Sequence, residues 1–319
     1  MHEYDRISDE VLCALGAAVG DDNLQLFEPM SQHTTFQIGG PADVVVTPTD
    51  ADAVVRALDV CAIAGAPVMV VGNGSDLLVG DRGIRGVVVL LRDRFADIAV
   101  DGTRIRAAAG ALLHDVALAA ADAELSGLEP LWGIPATVGG ACHMNAGAYD
   151  ACTADVLESV RAYVPGPVLS DGTRARGSVR TFAVSELAMG YRKSRIHDEG
   201  LIVLEATFAL APGNGRMIRV EMDDYQRRRE EKQPLDMASA GSTFKRPEGY
   251  FAGKLIMDAG LRGASVGAAQ VSEKHCGFVV NTGGATAADV NALIEHVRDE
   301  VRAQFGVELE PEVKRIGEF

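Results

Sequence analysis

Three β-rich segments in the first third of the chain alternate with a helical pattern, and this order constrains the fold most. VVVTP begins at Val44, apolar residues recur at helical spacing over 50–64, and PVMVVG over 67–72 predicts a buried strand. VVVLL over 87–91 supplies the next apolar run. Because a period of 3.6 indicates a helix and short β-branched runs indicate strands, we predict strand–helix–strand at the start of a mixed α and β chain.

Helical and β-rich patterns continue to alternate along the rest of the chain. An Asp-Gly pair lies where a hairpin turn needs one, and APGNG over 211–215 is typical of a linker. The other predicted elements are a helical lead-in over 1–30, a hairpin over 98–110, a helix over 111–124, strands up to about 210, a charged helix ending near 232, a helix near 251–259, a strand at 277–281, a helix after a Thr286–Asp289 capping box, and a final strand over 307–317. We therefore predict a cofactor-binding half before about 213 and a smaller α/β unit after it.

Length and charge narrow the class of protein further. A chain of 319 residues suggests two or three packed units, and 47% hydrophobic with 24% charged residues is ordinary for a globular protein. The net charge of −15 argues against a nucleic-acid-binding surface, which needs a basic face to neutralise phosphates. An anionic ligand must therefore be bound locally, by backbone amides or by a few placed cations.

The N-terminus and the cysteines indicate a cytoplasmic protein with no membrane segment. MHEYDRISDEVL is acidic and lacks the apolar core of a signal peptide, and no apolar run reaches the roughly 18 residues that a membrane helix needs. The five cysteines are scattered, odd in number and contain no CxxC pair, so we expect reduced thiols and no metal site. They are Cys13, Cys61, Cys142, Cys152 and Cys276.

Two glycine-rich segments are candidates for binding a phosphorylated or flat ligand. Gly72-Asn73-Gly74-Ser75-Asp76 follows a predicted strand, and its successive N–H groups can form an anion nest. The motif lacks the third glycine of a dinucleotide fingerprint and the GK[ST] of a P-loop, so a plain turn stays open. The segment 127–147 exposes bare backbone between apolar residues, which suits a flat ligand or a structural loop.

Four polar residues are candidates for chemistry, and each has a simpler interpretation. Ser242 lies beside two cations at a Gly/Pro-punctuated turn, where serine is also merely common. Arg192, on a predicted strand, suits a carboxylate, although such arginines are usually at the surface. Glu312 alternates with Glu310 on the last predicted strand, with Val313 facing the opposite way, and is expected to be solvated. His275 is more often a core histidine than a catalytic one.

Seven segments together resemble one family, the UDP-N-acetylenolpyruvoylglucosamine reductases of peptidoglycan synthesis. They occur in the family's order and span nearly the whole chain, so the resemblance is specific although each motif alone is weak. The segments are HTTFQIGGPAD (33–43), VVGNGSDLLV (70–79), GIPATVGGACHMNAGAY (133–149), YRKS (191–194), QP with GSTFKRPEGYFAGKLI (233–256), AQVSEKHCGFVVN (269–281) and LEPEVKRIG (309–317).

The resemblance implies an α+β fold with a two-subdomain FAD-binding fold of the vanillyl-alcohol-oxidase-like type plus a C-terminal α/β substrate domain. The implied domains are 1–97 and 98–213 as FAD-binding subdomains and 214–319 as the substrate-binding domain, whose final strand returns to the active site. The implied reaction is the NADPH-dependent reduction of UDP-N-acetylglucosamine-enolpyruvate to UDP-N-acetylmuramate. Hydride passes from N5 of non-covalently bound FAD to C3, and a proton passes to C2.

The resemblance also implies roles for individual residues. Ser242 is the proton donor to C2, while Arg192 and Glu312 stabilise or polarise the enolpyruvyl group. A cation such as Arg192 suits charge that develops only in the transition state. The implied FAD-binding residues are Gly72, Asn73, Gly74, Ser75, Asp76, Ile134, Pro135, Thr137, Gly139, Gly140, Asn145 and Gly147. The implied substrate-binding residues are Tyr191, Lys232, Lys245, Arg246 and His275.

The chain resembles the shorter form of the family. Only residues 195–200 separate YRKS from LIVLEATF, so the inserted subdomain with its tyrosine loop is missing. Ala136, Asp76 and Asp150 stand where the family usually has Gly, Asn and Gly. These departures bear on FAD binding, because Ala136 adds a methyl group and Asp76 adds a negative charge near a diphosphate.

Two alternatives remain open at the level of the sequence. One is a flavin oxidoreductase of the same fold that acts on another substrate. Related oxidases often attach flavin to a histidine near the phosphate loop, but no histidine lies between His33 and His114. The other is a non-catalytic flavin- or nucleotide-binding protein, which predicts loss of a chemical residue, whereas Ser242, Arg192 and Glu312 are all present. We expect a monomer, since no coiled-coil pattern occurs.

Overall fold

A computed structural model describes residues 7–319, which divide into two compact units. Of the described residues, the first unit contains 7–26, Asp43–Asn73 and Gly86–Arg227. The second unit contains Phe27–Ala42, Gly74–Arg85 and Arg228–Phe319. The first six residues of the predicted helical lead-in lie outside the described residues.

Eight α-helices occur within residues 7–319, and side chains that accept backbone hydrogen bonds begin several of them. Asp50 accepts from the Ala53 N–H at 2.7 Å, which satisfies a donor that a helix N-terminus otherwise leaves free. Glycines at positive φ follow the helices that end at Ala64 and Phe305. The helices are α1 (Asp9–Val19), α2 (Ala51–Ala64), α3 (Leu113–Asp122), α4 (Val138–Met144), α5 (Arg195–Asp198), α6 (Gly215–Lys232), α7 (Ala252–Asp258) and α8 (Ala287–Phe305).

The strands are mostly short and occur in both units. Those of the first half of the chain are β1 (Leu24–Pro29), β2 (Pro41–Val46), β3 (Val68–Val71), β4 (Leu77–Val79), β5 (Ile84–Leu90), β6 (Ile98–Asp101), β7 (Arg104–Ala108), β8 (Leu125–Ser126), β9 (Gly147–Ala148) and β10 (Ala151–Cys152). Those of the second half are β11 (Leu157–Val164), β12 (Ser178–Ala183), β13 (Ile202–Ala209), β14 (Ala211–Pro212), β15 (Ala238–Ser242), β16 (Ser265–Val266), β17 (Ala269–Val271), β18 (Phe278–Asn281) and β19 (Lys314–Ile316).

The first unit contains most of one four-stranded sheet and all of a five-stranded sheet. The smaller sheet has the order β1-β2-β5-β3, and β3 is parallel to β5, with Val68 opposite Val87. The larger sheet has the order β12-β11-β13-β7-β6 and its pairs are antiparallel. Helix α2 follows β2 and precedes β3, so the predicted strand–helix–strand order is confirmed.

The second unit combines a four-stranded sheet with a long amphipathic helix. The sheet has the order β15-β18-β17-β16, and its pairs are antiparallel. One face of α8 buries Val290, Leu293, Ile294 and Val297 in the core of this unit. The last strand, β19, pairs in parallel with β4. The predicted capping box is confirmed, because Thr286 and Asp289 bond to each other's backbone N–H groups at 3.0 Å.

Four predicted elements differ from the structure. The lead-in is not wholly helical, since β1 follows α1. The strand at 68–71 is not fully buried, because Val68 is exposed. The predicted linker at 211–215 is partly structured, because Ala211–Pro212 form β14, which pairs with β8, and Gly215 begins α6. The final strand covers only Lys314–Ile316 rather than 307–317.

All five cysteines are free thiols in this structure. Cys61 and Cys142 are fully buried in the core of the first unit. Burial raises the pKa of each of these two thiols to about 12, because the charged thiolate loses its hydration. Both thiols therefore stay protonated at neutral pH and act as small apolar core residues.

Candidate functional site

The loop after β3 approaches the segment before α4 within the first unit. A Cβ atom added to Gly72 lies 2.2 Å from Thr137 Oγ1, so no side chain fits there. Asn73 Nδ2 donates a hydrogen bond to the carbonyl oxygen of Pro135 at 2.8 Å. Neither Gly72 nor Asn73 donates a backbone hydrogen bond to any residue from 7 to 319. The backbone N–H groups of Gly72 and Asn73 are therefore available as donors to an anion.

The first backbone N–H groups of helix α4 are already hydrogen-bonded within the protein. The N–H groups of Val138 and Gly139 donate to the carbonyl oxygens of Ala111 and Ala109, at 2.8 and 2.9 Å. Buried Thr137 accepts from the Gly140 N–H at 3.4 Å and so caps the helix. A Cβ atom on Gly139 lies 3.2 Å from Ala109. Gly139 and Gly140 therefore bring bare backbone close to its neighbours rather than offering free donors.

Buried Asn145 ends α4 and connects it to two other segments of the first unit. Its φ of 45° is left-handed, a conformation that asparagine tolerates better than most residues. Its Nδ2 donates to the carbonyl oxygen of Gly190 at 3.0 Å, and its Oδ1 accepts from the Ala154 N–H at 2.9 Å. Nearby, a Cβ atom on Gly147 lies only 2.5 Å from the Ala151 carbonyl oxygen. Asn145 thereby positions the residue that precedes Tyr191.

The YRKS motif lies in a tight turn rather than on the predicted strand. Gly190 and Lys193 form an isolated bridge, which leaves Tyr191 and Arg192 at the tip. Arg192 has a φ of 55°, which costs a non-glycine residue conformational energy and is common at functional sites. Its guanidinium lies 5.1 Å from the centre of the Tyr191 ring. Fully buried Ser194 holds the turn, because its hydroxyl donates to the His143 carbonyl oxygen at 2.6 Å.

The rest of the first glycine-rich motif belongs to the second unit. Gly74 has a φ of 62°, and a Cβ atom there lies 2.2 Å from the His33 carbonyl oxygen. The N–H groups of Gly74 and Ser75 donate no hydrogen bond to the described residues. The Asp76 carbonyl oxygen accepts from the Lys314 N–H at 2.8 Å. This part of the motif therefore also requires glycine and also leaves amide donors for a ligand.

Ser242 is the exposed last residue of β15, not part of a turn as predicted. It lies opposite Phe278, and the register shifts between Ser239 and Ser242. Gly241, at a φ of 73°, supplies the left-handed residue that such a bulge favours. A bulge reorients the side chain that follows it, which explains why a strand residue here faces solvent.

Glu312 and Ser242 lie on paired segments of the second unit. Thr243, next to Ser242, accepts the Glu312 N–H at 2.8 Å through its carbonyl oxygen. The Thr243 hydroxyl in turn accepts the Val279 N–H at 2.9 Å. Glu312 is only 9% exposed, whereas the Glu310 side chain is 69% exposed. The predictions that Glu312 is solvated and alternates with Glu310 are therefore wrong, because this segment is not a regular strand.

Two candidate substrate-binding residues of the second unit, Lys245 and Arg246, contact other side chains of that unit. Lys245 Nζ lies 2.5 Å from Glu310 Oε1. The Arg246 guanidinium lies 4.0 Å from the centre of the Phe251 ring. Lys232 is exposed at the end of α6. The sequence motifs do not identify Phe251 as a candidate, although two consecutive aromatic residues after a glycine can indicate a surface for a flat ligand.

His275 is half-buried and accepts a hydrogen bond inside its own loop. Its Nδ1 accepts from the Gly277 N–H at 3.1 Å, and its ring meets the Phe278 ring edge-on at 5.1 Å. Burial lowers the pKa of His275, because the charged ring loses hydration. An accepting Nδ1 also requires the neutral ring, so this histidine is unprotonated at neutral pH.

Neither a metal cluster nor a spanning helix occurs in the part of the chain that the structure describes. No three of its His, Cys, Asp or Glu side chains are grouped so as to hold a metal ion. None of its helices combines the length and apolar character needed to cross a bilayer.

Two family models match separate parts of the chain. Residues 42–173 match the model described as an FAD binding domain. Residues 233–316 match the model described as the C-terminal domain of UDP-N-acetylenolpyruvoylglucosamine reductase.

Whole-chain comparisons identify the same kind of relative. A UDP-N-acetylenolpyruvoylglucosamine reductase of Agathobacter rectalis is 52% identical over 304 residues, covering 92% of this chain and 93% of that protein. One of Clostridium beijerinckii is 49% identical over 298 residues, covering 93% and 94%. The crystal structure of the Thermus caldophilus reductase MurB superposes with a TM-score of 0.75 at 36% identity, covering 92% of this chain and 97% of that one.

Proposed function

Because the chain belongs to the UDP-N-acetylenolpyruvoylglucosamine reductase family, we propose how its own residues divide the work of that reaction. The predicted family and α+β fold class, with an FAD-binding part and a C-terminal domain, are confirmed. The chain is an FAD-dependent oxidoreductase of peptidoglycan synthesis that acts on a UDP-sugar.

The proposed reaction is the reduction of UDP-N-acetylenolpyruvoylglucosamine to UDP-N-acetylmuramate, with NADPH as the reductant. The observation that carries it is the identity of about half the residues over nearly the full length of curated reductases. The presence of Ser242, Arg192 and Glu312 supports the same conclusion, since a binding-only relative has no need of all three.

The residues present fit FAD, and we assign its binding to the two glycine-rich segments. The amides of Gly72, Asn73, Gly74 and Ser75 supply donors for the diphosphate. The backbone of the second segment is fixed by Thr137, Asn145 and Gly147. The other residues that we assign to FAD are Ile134, Pro135, Gly139 and Gly140 in the second segment and Asp76 at the end of the first. When bound, FAD accepts electrons from NADPH and supplies the hydride that is added to C3. Binding is non-covalent in this proposal.

Arg192 stabilises the negative charge that enters the substrate carboxylate during reduction. The guanidinium stays charged at any physiological pH and offers paired donors to a carboxylate. Its left-handed backbone is held by the Gly190–Lys193 bridge and by Ser194. A preorganised cation lowers the barrier because it does not need to reorient when the charge appears.

Ser242 donates the proton to C2, and Glu312 polarises the enolpyruvyl group. A serine hydroxyl is a very weak acid, but C2 is basic enough to take its proton once hydride addition at C3 has left negative charge on it, and the ether bond stays intact. The Gly241 bulge exposes the hydroxyl, and the Thr243–Glu312 hydrogen bond fixes the backbone of both residues. Lys245 helps to stabilise the alkoxide that Ser242 becomes when it has given up its proton. The ion pair with Glu310 restricts the motion of the Lys245 side chain.

We assign the rest of the UDP-sugar to residues near these groups in sequence. Lys232, Lys245 and Arg246 bind the diphosphate, which a chain of net charge −15 attracts only through local cations. Tyr191 and His275 contact the substrate as well.

We propose that residues 1–97 and 98–213 form the two FAD-binding subdomains and that residues 214–319 form the substrate-binding domain. We further propose a cytoplasmic protein, because its cysteines are free thiols, and a monomer, because the sequence has no coiled-coil pattern. The net charge of −15 argues against a nucleic-acid partner.

The test follows NADPH absorbance in the FAD-loaded protein with and without UDP-N-acetylenolpyruvoylglucosamine. The proposal predicts rapid oxidation of NADPH only when the sugar is present, with one product molecule formed per NADPH. Equal slow oxidation in both samples means that oxygen is the only acceptor, and the substrate assignment is then wrong. UDP-N-acetylglucosamine, which lacks the enolpyruvyl group, is the control.

A further inference from the structure

Two aromatic side chains of the second unit are exposed on the segment that follows Lys245 and have no role in the reaction described above. Tyr250 is 48% exposed and Phe251 is 59% exposed. The Arg246 guanidinium lies 4.0 Å from the centre of the Phe251 ring, within the range of a cation–π contact. We call Arg246, Tyr250 and Phe251 the stacking platform.

The backbone beneath the stacking platform is well fixed. The Tyr250 N–H donates to the Pro247 carbonyl oxygen at 3.1 Å, which closes a turn. The Phe251 carbonyl oxygen accepts from the Lys254 and Leu255 N–H groups at 3.0 and 3.1 Å, which begins α7. Ala252, Leu255 and Ile256 are buried in the core of the unit. The Phe251 ring is therefore exposed on rigid backbone and not because the segment is loose.

A rigid, exposed aromatic ring beside a guanidinium suits a flat ligand. Nucleobases stack on aromatic rings and on arginine, and each such contact contributes about 1–3 kcal/mol. Little ordering entropy is lost on binding when the ring is already fixed. A scattered exposed aromatic residue needs no explanation by itself. The contact with Arg246 and the anchored backbone distinguish this one.

The order of groups along the segment matches the order of groups along the substrate. Ser242 comes first and is assigned to the reacting enolpyruvyl carbon. Lys245 and Arg246 follow and are assigned to the diphosphate, and Tyr250 and Phe251 come last. The uracil lies on the far side of the diphosphate from the enolpyruvyl group. We propose that the stacking platform binds the uracil ring of the UDP-sugar, with Phe251 as the main contact, an inference that rests on the proposed function.

The inference is tested by calorimetric titration of FAD-loaded Phe251→Ala with UDP and with uridine. The expected result is a Kd for UDP raised about 5- to 150-fold, the factor to which the stacking energy of a base corresponds. Uridine binding falls by a similar factor, whereas inorganic diphosphate, which keeps Lys232, Lys245 and Arg246, loses much less affinity than UDP does. Phe251→Trp retains a stacking surface and keeps UDP affinity near that of the unmodified protein. In turnover, KM for the sugar rises while kcat changes little.

Phe305→Ala is the matched control, because it removes another exposed phenylalanine of the same unit, on α8. It leaves UDP affinity unchanged. If the unmodified protein binds UDP and Phe251→Ala binds it equally well, the platform assignment is overturned while the proposed function stands. If the unmodified protein neither binds UDP nor oxidises NADPH when the full sugar nucleotide is added, the proposed function itself fails. FAD content and the thermal unfolding midpoint verify that each variant is folded.

Discussion

In the glycine-rich motif, Gly72 and Gly74 stand at positions where a side chain does not fit. Gly72 has no room for a Cβ atom because Thr137 Oγ1 occupies that space, and Gly74 is excluded from having one by the His33 carbonyl oxygen. Both glycines also leave their amides without a partner among residues 7–319. In the proposed assignment, the bare backbone and the available donors both serve close access to the FAD diphosphate.

The first prediction is that Gly72→Ala weakens FAD binding. The added methyl group displaces Thr137, which caps α4, and forced repacking of this kind typically costs about 1–3 kcal/mol. We expect the Kd for FAD to rise about 5- to 150-fold, measured by titrating apoprotein with FAD and following flavin fluorescence. Gly102→Ala is the control for FAD affinity: nothing lies within 4 Å of its Cβ position, so it adds only the backbone strain of a φ of 58° in a separate turn. An unchanged Kd in Gly72→Ala contradicts the assignment of this loop to the cofactor.

The second prediction concerns His275 and pH. Burial lowers the pKa of His275 in the folded chain, so the unfolded chain takes up the proton more readily. The stability contributed by the neutral ring is fully present above the ordinary histidine pKa of about 6.5 and is lost as pH falls below it. Urea unfolding at about pH 7.5 and about pH 5.5 should therefore reveal a decline that is smaller in His275→Asn. The exposed control His296→Asn keeps the full decline, and an equal decline in His275→Asn refutes the prediction.

At the scale of elements, local sequence specifies some helices fully and others hardly at all. Helix α8 carries its capping box and its apolar stripe within the sequence, so its start was predictable. Helix α4 has only seven residues, two of them glycine, and depends on hydrogen bonds to Ala109 and Ala111. Those partners are distant in sequence, and no periodicity indicates them. The same limit applies to β14, which exists only because β8 pairs with it.

The candidate site likewise has features that the sequence predicts and features that it does not. The motifs identified Ser242, Arg192 and Glu312 by residue type and order, but not the backbone that holds them. The bulge at Gly241 arises from pairing with β18, and the turn at Arg192 is held by hydrogen bonds that join its flanking residues to His143 and Asn145. The burial of Glu312 depends on a hydrogen bond to Thr243, almost seventy positions away in the sequence. Tertiary contacts of this kind leave no local pattern.

The third prediction tests the cap of α8. Thr286→Ala removes the hydroxyl that accepts the Asp289 N–H, and such losses typically cost about 0.5–2 kcal/mol. We expect the free energy of unfolding of Thr286→Ala, measured with urea, to fall by about 1 kcal/mol. Thr286→Ser keeps the accepting oxygen and stays close to the unmodified protein. Equal unfolding free energies for Thr286→Ala and the unmodified protein mean that the capping box contributes nothing to stability.

At the scale of the whole molecule, charge and cofactor set the conditions for binding. The chain carries a net charge of −15, yet its family acts on a UDP-sugar that is itself anionic. Long-range electrostatic attraction therefore does not bring the substrate to the protein, and recognition depends on local groups. The amides of the glycine-rich motif and the cations near Ser242 are the groups that we propose for this purpose.

The fourth prediction is that removing FAD destabilises the whole chain. A ligand that binds only the folded state stabilises it in proportion to the logarithm of its concentration, by about 2.7 kcal/mol at one hundred times its Kd. We expect the apoprotein to unfold several degrees below the reconstituted holoprotein in differential scanning calorimetry. Adding FAD back should restore the midpoint, and riboflavin, which lacks the diphosphate, should not. Identical midpoints with and without FAD contradict the assigned cofactor site.

The central claim is that Ser242 supplies the proton after NADPH has delivered its electrons. Anaerobic stopped-flow measurements on Ser242→Ala test it directly, with exposed Ser265→Ala as the control. The account predicts that NADPH bleaches the flavin absorbance of both variants at the normal rate. Return of the absorbance on adding UDP-N-acetylenolpyruvoylglucosamine should then slow about 10²- to 10⁴-fold in Ser242→Ala alone. If the absorbance of Ser242→Ala returns at the unmodified rate, Ser242 is not the proton donor and the proposed mechanism is wrong.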